Sequence, residues 1–242
     1  MSSNFLWMIP ASTIIWASIL IIATYYVNLK LPYYQLWDFR CRIYSFFHGF
    51  FCIWFSQTII FTRLDPTSPI TFFEESVLSI SMGYFLFDCI AMRVLKIDNI
   101  IYYIHHIAVL CVVGSALVSG KGAYEIASGF LALEMTNPIY QIKGWLKYLG
   151  YKKTIGYLVV EIFFYFAFCV SRFIFGGIVL YNIIISENLS LAVKLFSVGI
   201  QLMFYAFLKK IIKTAKRRRE EYKERKAKGL KLEWFRPIKK ID

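Results

Sequence analysis

The sequence carries none of the usual marks of a soluble metal, nucleotide or serine enzyme. It has no H-E-x-x-H or comparable ligand spacing, no glycine-rich phosphate loop and no serine-nucleophile motif. Its five cysteines form no C-x-x-C pair. Cys41, Cys52, Cys89, Cys111 and Cys169 lie in or beside apolar blocks and read as small buried hydrophobes, neither a disulfide framework nor a zinc site. Histidine is scarce, with three residues in all. No Lys or Arg precedes the first apolar block, which is also too long for a signal peptide, so none is expected. Internal repeats and low-complexity stretches are absent before the C-terminal tail. These patterns imply no metal and no resident cofactor.

What the chain does have is apolar surface. Of 242 residues, 58% are hydrophobic and 19% aromatic, more than a water-soluble domain of this size can bury. The apolar residues fall in blocks of about 18–22, long enough to cross a hydrocarbon layer of ~30 Å. Spans are predicted at 5–28, 43–61, 76–95, 100–118, 124–142, 155–180 and 189–209, separated by turn-rich stretches such as Asp65-Pro66-Thr67-Ser68-Pro69 and Ser119-Gly120-Lys121-Gly122. Only helices satisfy their own backbone in isolated segments of this kind. The expected fold is therefore all-α, a polytopic transmembrane helical bundle of about seven spans with a basic C-terminal helical tail.

Charge supports that count. From Lys209 onward there are 15 Lys and Arg against 5 Asp and Glu, a net +10, and the remaining 13 and 10 leave +3. Such a tail suits anionic headgroups beside a membrane, and no nucleic-acid partner is expected. With seven spans and a cytosolic tail, Lys30, Arg40, Arg42, Arg93 and Lys96 fall on the cytosolic side, as do the four lysines between 143 and 153. The opposite side holds Arg63, Lys121 and the acids Asp65, Glu74, Glu75 and Glu187.

Ionisable residues within spans suggest a functional site by default. They are His48, Asp88, His105, His106, Glu134, Glu161 and Arg172. With 1.5 Å of rise per residue, His48, Asp88, His105 and Glu134 fall ~7–12 Å below the cytosolic boundary, and Glu161 joins them. One polar layer drawn from five helices suggests a shared cavity open toward the cytosol. Tyr84 lies one turn from Asp88 on the same face. Pro138, after Thr136-Asn137, frees a backbone carbonyl that could line the cavity. Arg172 lies deeper and is a candidate partner for an acid. Neighbouring rings on a helix point ~100° apart, so one of His105 and His106 can face the cavity while the other orients against a second helix.

The ordered motifs Arg42-x-x-Ser45-x-x-His48, Gly83-Tyr84-Phe85-x-x-Asp88, His105-His106, Glu134-x-Thr136-x-Pro138 and Phe168-x-x-x-Arg172 resemble the TLC-domain family, which includes the ceramide synthases. The resemblance covers roughly residues 38–212 as a six-helix domain, leaving residues 1–37 as a first transmembrane helix and loop and 213–242 as the tail. It implies a helical bundle around a lipid-accessible cavity, with the paired histidines at its polar centre. In the ceramide synthases that pair serves acyl transfer from acyl-CoA to a sphingoid amine. The resemblance makes His105 or His106 the nucleophile or general base, with Asp88 and Glu134 orienting the imidazoles and His48 assisting proton transfer. Tyr84, Asn137, Glu161 and Arg172 are then substrate-binding candidates, and acyl-CoA a co-substrate. The chain departs from the ceramide synthases in having no His-Asp dipeptide, and so looks closer to the short TLC-domain-containing branch, whose members are linked to phospholipid composition.

The expected function is lipid binding or modification in an intramembrane polar cavity, with membrane lipids as partners. An alternative is a non-catalytic accessory subunit of a large membrane-protein complex, at the mitochondrial inner membrane, that keeps the fold as a lipid slot. A transporter or scramblase is a third reading. The C-terminal Lys239-Lys240-Ile241-Asp242 looks like a dilysine retrieval signal, which points to the endoplasmic reticulum membrane with a cytosolic C-terminus. Residues 209–228 read as a solvated continuation of the last span, and Asn188-Leu189-Ser190 is a glycosylation sequon on the far side.

Overall fold

Each long apolar block folds as a helix, as backbone satisfaction in lipid demands. The computed structural model describes residues 5–97, 100–230 and 233–235; Asp98, Asn99 and the Lys239–Asp242 motif lie outside the described residues. The helices are α1 (Phe5–Tyr26), α2 (Tyr33–Thr62), α3 (Phe72–Val94), α4 (Ile100–Ser119), α5 (Ala123–Glu134), α6 (Asn137–Tyr148), α7 (Ile155–Cys169), α8 (Gly176–Ile185) and α9 (Leu191–Ala227). A π-helical stretch, Val170–Phe175, joins α7 to α8 into one continuous rod. No strand occurs among the described residues.

Six of these stretches are long and apolar enough to cross a membrane: α1, α2, α3, α4, the α7–α8 rod and α9. The fifth predicted span is broken into α5 and α6, 12 residues each. Together they still run the length of α2. Ala127 shares a cluster with Ile59 near one end, and the Tyr148 hydroxyl donates to Asp38 at the other. The directions alternate as seven crossings require. The Phe5 amide donates to Glu75 and the Ser12 hydroxyl to the Ile80 carbonyl, so α1 and α3 run parallel with α2 returning between them. Tyr102 stacks on Phe207, and Val113 lines the same small pocket as Val193, so α4 and α9 run antiparallel. The end of the bundle that carries Lys30, Lys147 and the tail is called the basic end below.

Several boundaries move from their predicted places. α2 starts at Tyr33, not 43, because its polar first turns are used in tertiary contacts. Arg40 donates to the carbonyls of Thr24 and Val27, closing the C-terminal end of α1 with a cation. α9 continues without a break to Ala227, as the tail's helix-forming composition predicts. At the opposite end, Thr71 and Glu74 form a reciprocal cap on α3, and Arg63 bridges Glu74 to the Ser68 carbonyl. The tight α4–α5 connection turns through Gly120 and Gly122, both at positive φ.

Small residues bring α1 against α3. A Cβ on Gly83 would sit 2.6 Å from the Ser12 hydroxyl oxygen and 2.9 Å from the Ile9 carbonyl, so the approach depends on glycine. The Trp16 indole donates to the Ile80 carbonyl and its ring packs edge-on against Tyr84.

Candidate functional site

A cavity of about 620 Å³ opens at the basic end and reaches down to Arg172. This is within the ~300–1,000 Å³ of typical small-molecule sites. α3 contributes Tyr84 and Asp88, α4 contributes His105 and His106, and the α5–α6 break contributes Glu134 and Asn137. Glu161 comes from α7 and Arg172 from the π-helical stretch. One flank is aromatic, built by Phe164, Phe168, Phe204 and Phe207. An amphiphile can therefore place its polar group among the titratable side chains and its chain along the phenylalanines.

At the centre, the Tyr44 hydroxyl donates to Asp88. Asp88 Oδ2 lies 3.0 Å from His106 Nδ1, an ion-pair separation without hydrogen-bond alignment. His105 Nδ1 is also buried without a protein partner. Buried polar atoms are nearly always satisfied, so the His105 nitrogen, in the cavity wall beside an imidazole that already faces Asp88, stands out.

A hydrogen-bonded ladder climbs the α6 wall from depth to mouth. The Asn137 amide donates to Glu134 at 2.8 Å and to the Ser45 carbonyl at 3.2 Å, while Gln141 donates to Asn137. Arg42 donates to Gln141 at 2.9 Å and to Asp38 at 2.8 Å. The i to i+4 spacing of Asn137 and Gln141 puts both on the cavity face. Arg42 fills the space beside Gly144, where a Cβ would lie within 2.5 Å of its guanidinium.

Arg172 does not bind an acid directly. With Ser171 it donates to the carbonyls of Ala132 and Leu133, the last turn of α5. The helix break before Pro138 leaves these carbonyls without intrahelical partners, and the π-helical bulge aims two donors at them. Arg172 and Ser171 thus cover the carbonyls of Ala132 and Leu133, whereas the carbonyl that Pro138 itself frees is that of Glu134.

His48 is the one predicted site residue that the structure does not bring to the cavity. It is fully buried behind Tyr84, the two rings parallel with centroids 3.6 Å apart. Its Nε2 lies 3.3 Å from Cys52 Sγ. Tyr84, Asp88, His105, His106, Glu134, Asn137, Glu161 and Arg172 all line the cavity.

Other residues at the site were not singled out in the sequence. Tyr44 carried no motif signal. Arg218, on a stretch read as solvated, donates to Glu161 at 3.0 Å, and its side chain is 14% exposed. Glu161 also accepts from the Tyr157 hydroxyl and lies 3.9 Å from Lys143. Glu221 pairs back with Arg217 and Arg218. Toward the opposite end, Glu125 is buried beside a small apolar pocket of about 70 Å³ and accepts from Ser186.

The TLC-domain family model matches residues 38–212, from the first turns of α2 into α9. That segment carries every side chain of the cavity's polar centre, and it covers well over half of the sequence. The chain belongs to the TLC-domain family.

Proposed function

We propose that this membrane protein binds an acyl-bearing lipid substrate in the cavity and transfers an acyl group at the His105-His106 pair, with acyl-CoA as donor. The observation that supports it is the Asp88–His106 contact at 3.0 Å, with Tyr44 holding the carboxylate from behind, inside a lipid-sized cavity. A base oriented by a third group is the arrangement that general-base and nucleophilic catalysis need. In this reading one imidazole attacks the thioester carbonyl, the C–S bond breaks, and the coenzyme thiolate takes the proton held by the second imidazole, which the acceptor's proton later restores. The acceptor amine or hydroxyl then takes the acyl group, losing its proton to the second imidazole. Glu134 and Asn137 position the acceptor's polar group, and the phenylalanine flank carries the chain. The basic end faces the cytosol, by the excess of Lys and Arg there, and the membrane is that of the endoplasmic reticulum.

Purification in mild detergent, followed by native mass spectrometry with lipid identification and incubation with an acyl-CoA, tests this reading. A bound lipid or acyl adduct that disappears in His105→Ala/His106→Ala supports it. Stable partner proteins, with bound lipid indifferent to those substitutions, would overturn it in favour of an accessory subunit.

A further inference from the structure

The mouth of the cavity is strongly cationic, and part of it is made by sequence beyond the family's matched segment. Lys143, Lys147 and Lys152 approach from α6 and the turn after it, Arg42 from α2, and Lys210, Arg217 and Arg218 from α9. Three carboxylates stand among or beside them, and all are engaged: Asp38 with Arg42 and Tyr148, Glu161 with Arg218 and Tyr157, and Glu221 with Arg218 and, at 3.6 Å, with Arg217. Among the described residues no acid pairs with Lys147, Lys152 or Lys210. Cations gathered without counter-charges repel one another unless an anion joins them. Lys152 reflects this: burial, and then Arg218, Arg217 and Lys147, pull it below the usual lysine range against the opposing pull of Glu221.

The α9 contribution is held in place from two sides. Glu161, from within the bundle, binds Arg218. Beyond it α9 ends in a paired motif at Gly229 (φ +67): the Leu230 amide donates to Arg225 and the Gly229 amide to Lys226. The chain then returns to α7. The amides of Ile155 and Gly156, unpaired donors of that helix's first turn, bond the carbonyls of Glu233 and Trp234 at 2.9 and 3.0 Å. The Phe235 ring occupies the space a Cβ on Gly156 would take, 2.2 Å away. The extension is therefore docked as one wall of the mouth.

We propose that the mouth is a phosphate-binding site, with Lys147 and Lys152 on one wall and Lys210 and Arg217 on the α9 wall, that recognises the phosphate groups of an amphiphile whose chain lies in the cavity. It rests on the reading of the cavity as a lipid site, but not on acyl transfer. Two sources share this chemistry, the phosphates of a coenzyme A thioester and those of an anionic phospholipid. Arg218 and Glu161 position the α9 wall and are not the anion's own ligands.

The test uses the full chain in phosphatidylcholine nanodiscs. Free coenzyme A is titrated by calorimetry, and in parallel phosphatidic acid is added to the nanodiscs and its retention measured by native mass spectrometry. At least one probe binds, and Lys210→Glu/Arg217→Glu weakens it about tenfold or more, as expected for loss of charge-assisted contacts. Both positions are exposed, and Lys147→Glu/Lys152→Glu gives the same loss from the opposite wall should the first variant fold poorly. Coenzyme A alone binding assigns the phosphates to the donor; phosphatidic acid alone assigns them to a membrane lipid. Free coenzyme A carries no acyl group and retention of phosphatidic acid needs no turnover, so failure of acyl transfer and failure of the site are separate results. Binding of neither probe, or binding indifferent to both charge reversals, overturns the proposal.

Discussion

The Tyr44 hydroxyl donates to Oδ1 of Asp88 across the interface of α2 and α3, while the other oxygen, Oδ2, faces His106. A carboxylate bonded at one oxygen is restrained in the orientation that turns the other to the imidazole, so Tyr44 is a positioning residue for the central pair. Tyr44→Phe keeps the ring packing against Tyr84 and Phe87 and removes only the hydroxyl. Loss of a supporting hydrogen bond behind a reactive group lowers activity roughly 10–100-fold. Stability falls less, by ~0.5–2 kcal/mol, in line with polar contacts between membrane helices. Acyl-transfer rate and thermal unfolding, measured on the same preparation, check this; equal activity in Tyr44→Phe would remove Tyr44 from the mechanism.

His48 separates two roles that its depth alone could not. It lies in the polar layer expected of a catalytic group, yet its ring faces Trp16, Tyr84 and Cys52. His48→Gln is expected to lower the unfolding temperature while leaving the affinity for a cavity ligand within about threefold, because truncations in a packed core act on stability. A ligand affinity that collapses while the fold stays intact would restore His48 to the site.

These two residues show what the sequence could carry. Hydropathy and topology report depth, and the expected polar layer does form one cavity from α3, α4, the α5–α6 break and α7. Depth is a count along the helix. The rotation of each helix about its axis is set by packing against neighbours far away in the chain, and nothing local to Phe47-His48-Gly49 states it. The same limit hid the Glu161–Arg218 pair, 57 residues apart. Hydropathy starts the second span at 43 because Asp38, Arg40 and Arg42 interrupt the apolar run, although each meets a partner that makes helix the better state. Pro138 marks a lost donor in the sequence, yet the expected span runs unbroken over 124–142, because a proline alone does not say whether a helix kinks or stops. The π-helical stretch was not readable, because Val170–Phe175 has no proline or glycine to mark it.

Two glycines give contrasting outcomes. On Gly83 a Cβ would meet the Ile9 backbone carbonyl at 2.9 Å, which moves only if α1 and α3 separate. On Gly144 it would meet the guanidinium of Arg42, the far end of a flexible side chain. Gly83→Ala is therefore expected to destabilise by ~1–3 kcal/mol, the range for overpacked contacts. Gly144→Ala is expected to leave stability nearly unchanged and to displace Arg42 from Gln141, altering the mouth. Unfolding midpoints of the two variants, set beside their affinities for a phosphate probe, distinguish the effects. Similar destabilisation by both would show that Arg42 is as immobile as backbone.

Arg172 spans the break between α5 and α6, where its guanidinium covers the carbonyls of Ala132 and Leu133 while its own carbonyl accepts from Gln201 on α9 at 3.0 Å. Three elements therefore meet on one residue. Arg172→Lys keeps the charge but cannot reach two carbonyls at once, since an ammonium is a point donor and the guanidinium a planar fork. With hydrogen bonds to charged groups at ~1.5–3 kcal/mol each, the expected loss is about 2–3 kcal/mol. The unfolding temperature in detergent should fall accordingly. Hydrogen exchange at the last turn of α5 should rise first, because the carbonyls there lose the donors that close the helix end. If Arg172→Lys unfolds at the wild-type temperature, water or lipid already satisfies those carbonyls. Arg172 would then be free to act on the ligand, and its position at the foot of the cavity would have to be explained by substrate, not by the broken helix.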